Sequence, residues 1–209
     1  MKLFRFPYDT VQAEWIFSPV RRRGDVITLL MNAIKLMIVN RPPPDDFVAG
    51  ELVLSVSKMS RLFFSCESKI ISLAFPFFTE TNEEGVFFRS QLYGDIDSRV
   101  TSILLALVTS NTVLTCTSAL DLAGIFEEEV AGDTALWPLF FDLLTYDDGY
   151  LRYECDGERQ NGHLHPLHHL DIFYSGRATF KLGLRRGIDV DGMRDVMDLL
   201  TDCSYLASA

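Results

Sequence analysis

Between Val26 and Val39, apolar residues recur at three- and four-residue steps: Ile27, Leu30, Met31, Ile34, Met37 and Ile38. That spacing places them on one side of a helix. Arg41-Pro-Pro-Pro44 follows at once. Proline removes a helical donor and restricts the residue before it, so the helix cannot continue past this point. Asp25 is placed to open it. The chain therefore begins with a helix carrying a wide apolar stripe and a hard stop, and that stripe demands a second layer to cover it.

The final third has the opposite texture. Tyr150–Cys155, Leu167–Tyr174 and Arg177–Leu184 read as strands, separated by the turn dipeptides Asp156-Gly157, Asn161-Gly162 and Ser175-Gly176. Asp189–Leu200 closes the chain as a helix with Met193, Val196, Met197 and Leu200 on one side. In between, Ile70–Phe78 and Val86–Tyr93 read as a hairpin around the polar segment 80–85, and Asp45–Glu67 reads as partly helical. A helix capped by Asp97 or Ser98 runs to about Val108, and Leu136–Thr145 is a further helix. The expectation is α+β, as one domain over residues 1–209. Helices of the N-terminal and middle parts pack on an antiparallel sheet, its C-terminal strands form a meander, and a helix closes the chain.

Charge narrows the function classes. The net charge is −10, and between Arg99 and Arg152 there is no Lys or Arg against eight acids, Asp121, Glu127, Glu128, Glu129, Asp133, Asp142, Asp147 and Asp148. A protein that grips a phosphate backbone clusters Lys and Arg instead, so general nucleic-acid affinity is disfavoured. An acidic surface suits docking to a basic protein partner, with oligomer formation a further option. Val100–Leu120 lacks charge for twenty-one residues, but Thr109-Ser-Asn-Thr112 is wholly polar, so a buried helix, a turn and a strand explain it better than a membrane span. The scattered Cys66, Cys116, Cys155 and Cys203 read as reduced thiols rather than a disulfide or zinc framework. Together with the lack of a signal-like run at the N-terminus, they point to the cytoplasm.

All four histidines fall in one run, His163-Leu-His165-Pro-Leu-His168-His169-Leu-Asp171. Three chemistries use such a run. Metal ligation would draw on His163, His165 and His168, with a divalent metal as cofactor. The run is similar in part to the His-x-His-x-Asp-His motif of metallo-β-lactamase-like hydrolases, although Leu167 stands where that motif has Asp. Metal-free acid–base catalysis would use His165 or His169 with Asp171, Lys181 and Arg152, cleaving a nucleic acid or nucleotide without a cofactor. An anion pocket is the third. Against these stands a structural use, in which imidazoles bond to backbone at a buried turn. Cys155 beside a histidine is a weaker nucleophile pair.

A two-residue turn at Ser175-Gly176 sets Tyr174 opposite Arg177, Asp171 opposite Phe180 and His169 opposite Leu182. His169, Asp171 and Phe173 then share an apolar face. Lys181 lies on the other face beside His168, where Arg152 and Glu154 can join it.

Tyr150-Leu-Arg-Tyr-Glu154, His165-Pro-Leu-His-His-Leu170, Thr179-Phe-Lys-Leu-Gly183 and the closing helix together resemble a group of uncharacterised bacterial domain-of-unknown-function proteins with a late His-Pro-x-x-His-Leu motif. The resemblance covers roughly the last sixty residues. It implies a prokaryotic protein of an anti-phage defence or toxin–antitoxin setting, with His165, His169 and Leu170 at the motif positions. Net acidity, sixteen Phe and the lack of a complete catalytic set favour an accessory or regulatory protein-binding subunit. A histidine-dependent hydrolase or nuclease is the alternative.

Overall fold

The computed structural model describes residues 2–83, 85–110, 115, 118–130, 133–175, 178–198 and 200–202. Its strands are β1 (Lys2–Tyr8), β2 (Gly50–Val56), β3 (Arg61–Ser65), β4 (Lys69–Ala74), β5 (Phe78–Asn82), β6 (Gly85–Ser90), β7 (Gly94–Asp95), β8 (Leu151–Cys155), β9 (His168–Ser175) and β10 (Ala178–Leu184). The helices are α1 (Thr10–Ile16), α2 (Arg23–Val39), α3 (Ser98–Thr109), α4 (Ala119–Glu129), α5 (Trp137–Thr145) and α6 (Val190–Met197). Seven strands form one antiparallel sheet in the order β1-β2-β3-β4-β8-β9-β10, and β5-β6-β7 form a small second sheet. The fold is α+β. The large sheet is a meander interrupted once, where the chain leaves after β4 and returns at β8.

The sheet is covered on both faces. Leu52, Leu54, Leu62, Phe64, Ile71 and Leu73 join Ile27, Leu30, Met31 and Ile34 of α2 in the larger core. On the other side Val53, Phe63, Ile70, Tyr153 and Leu170 pack with Met193 of α6. The α2 stripe ends as its prolines require: Asn40 turns into the left-handed region at φ 39°, a common helix stop. Asp25 sits three residues inside the start, its carboxylate accepting from the Arg21 and Arg22 N–H groups at 3.0 and 2.9 Å. Asp97 caps α3 by accepting from Val100 N–H at 2.8 Å. No helix of the described residues is long and apolar enough to cross a membrane.

Four expectations are corrected. Asp45–Glu67 is a short 3₁₀ turn (Asp45–Phe47) followed by the β2–β3 hairpin. Both faces of this hairpin are buried, which erases the two-residue alternation that marks a strand. Ile70–Phe78 is not one strand, because Phe75-Pro76-Phe77 breaks it. β4 stays in the large sheet, and β5 pairs with β6 instead. The N-terminal strand β1 is additional. Part of the strand expected after α3 falls on 111–114 and 116–117, outside the described residues.

The fourth correction is the register of the last hairpin. Ser175 pairs with Ala178, a bulge follows between Ala178 and Thr179, and Asp171 then faces Lys181 while His169 faces Gly183. Residues 176–177 themselves are outside the described set. The pairing is displaced by one residue from the expected one, and a one-residue slip moves every side chain to the other face. Lys181 therefore shares a face with Asp171 instead of opposing it.

Candidate functional site

β8 and β9 pair with Arg152 opposite Asp171 and Glu154 opposite His169. Combined with the β10 register, this puts Arg152, Glu154, His169, Asp171 and Lys181 on one face, and Lys69 of β4 lies opposite Glu154 on the same face. It is the α2 face of the sheet, since Arg152 faces Ile71. Arg152 and Glu154 thus join His169 and Asp171, not His168 as the expected register had it. The face is charged where an apolar one was expected.

The centre of the cluster is dry. Glu154, His169 and Asp171 are 2%, 0% and 5% exposed, so each needs partners to offset desolvation. Asp171 accepts from Arg152 Nη2 and from Lys181 Nζ, both at 2.6 Å. Glu154 meets Lys69 at 3.2 Å, Arg152 Nε at 3.4 Å and Arg159 at 3.8 Å. His169 Nδ1 donates to the Pro166 carbonyl at 2.9 Å, which leaves Nε2 to accept from the Lys181 ammonium at 2.9 Å. Burial alone would raise the Asp171 carboxyl, but the Lys181 and Arg152 hydrogen bonds and charges outweigh it and hold the group below its ordinary 3.8. Burial works against the Arg152 cation too, yet Asp171 and Glu154 keep it above its ordinary value. Beside them Tyr150 is pushed up to about 12, chiefly by burial.

The other histidines separate. His165 Nε2 lies 3.2 Å from Asp156, and its ring stands edge-on to that of His169 with centroids 4.7 Å apart. His168 is on the opposite face, its Nδ1 2.9 Å from the Tyr153 hydroxyl. His163 is exposed. Alternation along β9 turns His168 away from the cluster, and among the described residues His163, His165 and His168 do not come together at metal-ligand spacing. The donors near enough to share a divalent ion, among the described residues, are Glu154, His169 and Asp171, within 4.8 Å of one another. Cys155 faces His168 across β8 and β9, but that imidazole is engaged by Tyr153.

Of the residues singled out from the sequence, His165, His169, Asp171, Lys181 and Arg152 are brought together. Lys69, Asp156 and Arg159 were missed. Arg152-x-Glu154 on one strand face and Asp156 at a turn were the available signals for the missing partners, since both seat a charge beside β9. Three cavities among the described residues are lined elsewhere and by none of these residues. Gly183 lies under the Pro166 turn: a Cβ there would come 2.9 Å from the proline ring.

Chemically the cluster sets four cations, Lys69, Arg152, Arg159 and Lys181, against three carboxylates, Glu154, Asp156 and Asp171. These carboxylates and both nitrogens of His169 already have partners, an arrangement that fixes β8, β9 and β10 to one another. Comparison with protein-family models, with curated proteins and with solved structures finds no match.

Proposed function

We propose that this chain is an accessory or regulatory subunit that works through protein contacts, in the prokaryotic defence or toxin–antitoxin setting that its C-terminal motif resembles. The observation that carries this reading is the free edge of β10. It is the last strand of the large sheet, so its outer backbone groups have no strand partner among the described residues. Edge strands are commonly blunted by proline or by a charge. β1, at the other edge, carries Lys2 and Pro7. β10 has one charged residue, Lys181, and its ammonium is turned into the cluster by Asp171. Phe180 stands 54% exposed on the same strand, and exposed Arg185 and Arg186 follow.

Such an edge accepts an extended segment of another protein as an added strand, and the two arginines select a segment carrying acidic residues. The chain should form a stoichiometric complex with a product encoded beside it, measured by light scattering after co-expression. Phe180→Glu and Thr179→Pro should abolish that complex while the fold persists. A strict monomer beside every neighbouring product, or a complex indifferent to both substitutions, contradicts the reading.

The convergence of His165, His169, Asp171, Lys181 and Arg152 favours a second reading, a histidine-dependent hydrolase or nuclease. Its mark is cleavage of RNA or a nucleotide that His169→Ala removes in a folded protein. The saturated partners of His169 weigh against it.

A further inference from the structure

We infer that Glu154, His169 and Asp171 form a divalent-cation site two of whose donors, His169 and Asp171, are held by Lys181, so that cation binding and the inward position of Lys181 exclude each other.

The donor set is that of a Zn²⁺ or Mn²⁺ centre, one imidazole nitrogen and two carboxylates. His169 Nε2 lies 3.6 Å from Glu154 Oε2 and 4.0 Å from Asp171 Oδ1. Ligands around tetrahedral zinc, with bonds of about 2.0–2.1 Å, stand roughly 3.4 Å apart. The two imidazole-to-carboxylate separations exceed that spacing by about 0.2 and 0.6 Å, and the three donor atoms lie within 4.8 Å of one another. Two of these donors are held on the same face by the Lys181 ammonium, which sits 2.6 Å from Asp171 Oδ1 and 2.9 Å from His169 Nε2, while Glu154 is held by Lys69, Arg152 and Arg159. An ammonium needs longer contacts than a metal ion, and His169 and Asp171 are set at its distances.

The surroundings match those of a metal site. The Pro166 carbonyl takes the Nδ1–H of His169 at 2.9 Å, which fixes the tautomer with Nε2 facing inward, the usual outer support of a ligating imidazole. Lys69 and Arg152 orient the carboxylates from outside. Lys181 has a way out, because it is on the edge strand and its side chain is 34% exposed. The ammonium can turn to solvent without unpairing β10 from β9. The wild-type protein then binds cations weakly, since Arg152 remains and one positive charge is exchanged for two.

The test is calorimetric titration with Zn²⁺ and, separately, Mn²⁺ against wild type, Lys181→Met and Lys181→Gln. The expected result is one ion per chain in both variants, at least tenfold tighter than in wild type, and lost again when His169→Gln is added. A variant that folds only when the metal is present also supports the site. Folded variants that take up neither ion at about 1 mM, or that bind no tighter than wild type, overturn it. In the wild-type protein, reductive methylation of Lys181, followed by peptide mass spectrometry, should accelerate severalfold under saturating Mn²⁺, as the ammonium is released. An unchanged rate overturns the exclusion even where the variants fail to fold.

Discussion

Replacing Asp171 by Asn removes the charge on which two cations converge. Arg152 and Lys181 each lose a 2.6 Å contact to a carboxylate that is 8% exposed. The amide offers one acceptor oxygen in place of two and sets an NH₂ group against a cation. Breaking a buried ion pair from one side costs about 3–5 kcal/mol. Here the cations are 28% and 34% exposed and can turn toward water. The expected loss is therefore reduced to about 2–3 kcal/mol. For a chain of this length that lowers the melting temperature by roughly 5–10 °C.

The pH dependence carries a sign. The Asp171 carboxyl is held below its ordinary value in the folded protein, so its contribution is complete above the unfolded value of 3.8. It is lost as pH falls through the lower, folded-state value. Urea denaturation of wild type and Asp171→Asn, followed by tryptophan fluorescence, should show the full difference at neutral pH. Below about pH 4 the difference should close as the wild-type carboxyl gains its proton. A neutral-pH difference within about 0.5 kcal/mol, or one that does not change with pH, refutes the view that the cluster holds β8, β9 and β10 together.

Further substitutions act on single contacts around the cluster and beyond it. Gly183→Ala drives a methyl into the Pro166 ring and should cost about 1–3 kcal/mol in urea denaturation, because Pro166 also holds His169. Tyr153→Phe removes the hydroxyl at His168 Nδ1 and should cost about 1 kcal/mol with no effect on cation uptake in Lys181→Met, since His168 lies on the other face. Arg23→Met breaks the 2.6 Å pair with Asp148 and the stacking on Tyr146. With Arg23 32% exposed, it should cost about 1 kcal/mol or less, and less again when salt is raised.

Much of the fold was legible where one face of an element is wet. α2 showed its stripe and its proline stop, Asp97 announced α3, and the C-terminal strands stood out between turn dipeptides. β2 and β3 were not legible: Val53 and Phe63 pack under α6 while Leu52, Leu54, Leu62 and Phe64 pack under α2, and burial on both faces leaves no alternation to read. β1 carries Lys2, Arg5 and Pro7 and shows little strand signature. The site was legible as a set of residue types but not as a geometry. The bulge at Ala178–Thr179 leaves no mark in composition, yet it decides that Lys181 meets Asp171. Glu154 was visible only as a neighbour of Arg152, and its central place follows from β8 lying between β4 and β9, a long-range pairing that no local pattern encodes.

The acidic segment gave a partial answer. Asp148 and Asp133 are matched by Arg23 and Arg99 from outside that segment, so its charge is offset in part within the fold. Leu120 and Phe141, both exposed, lie on α4 and α5 of the same segment.

His169 stands closed between the Pro166 carbonyl and the Lys181 ammonium. Long-range ¹⁵N–¹H correlation on histidine-labelled protein reads this directly. The expected spectrum has a slowly exchanging proton on Nδ1 of His169 and none on Nε2. A proton on Nε2, or ring nitrogens that average like those of exposed His163, would contradict it.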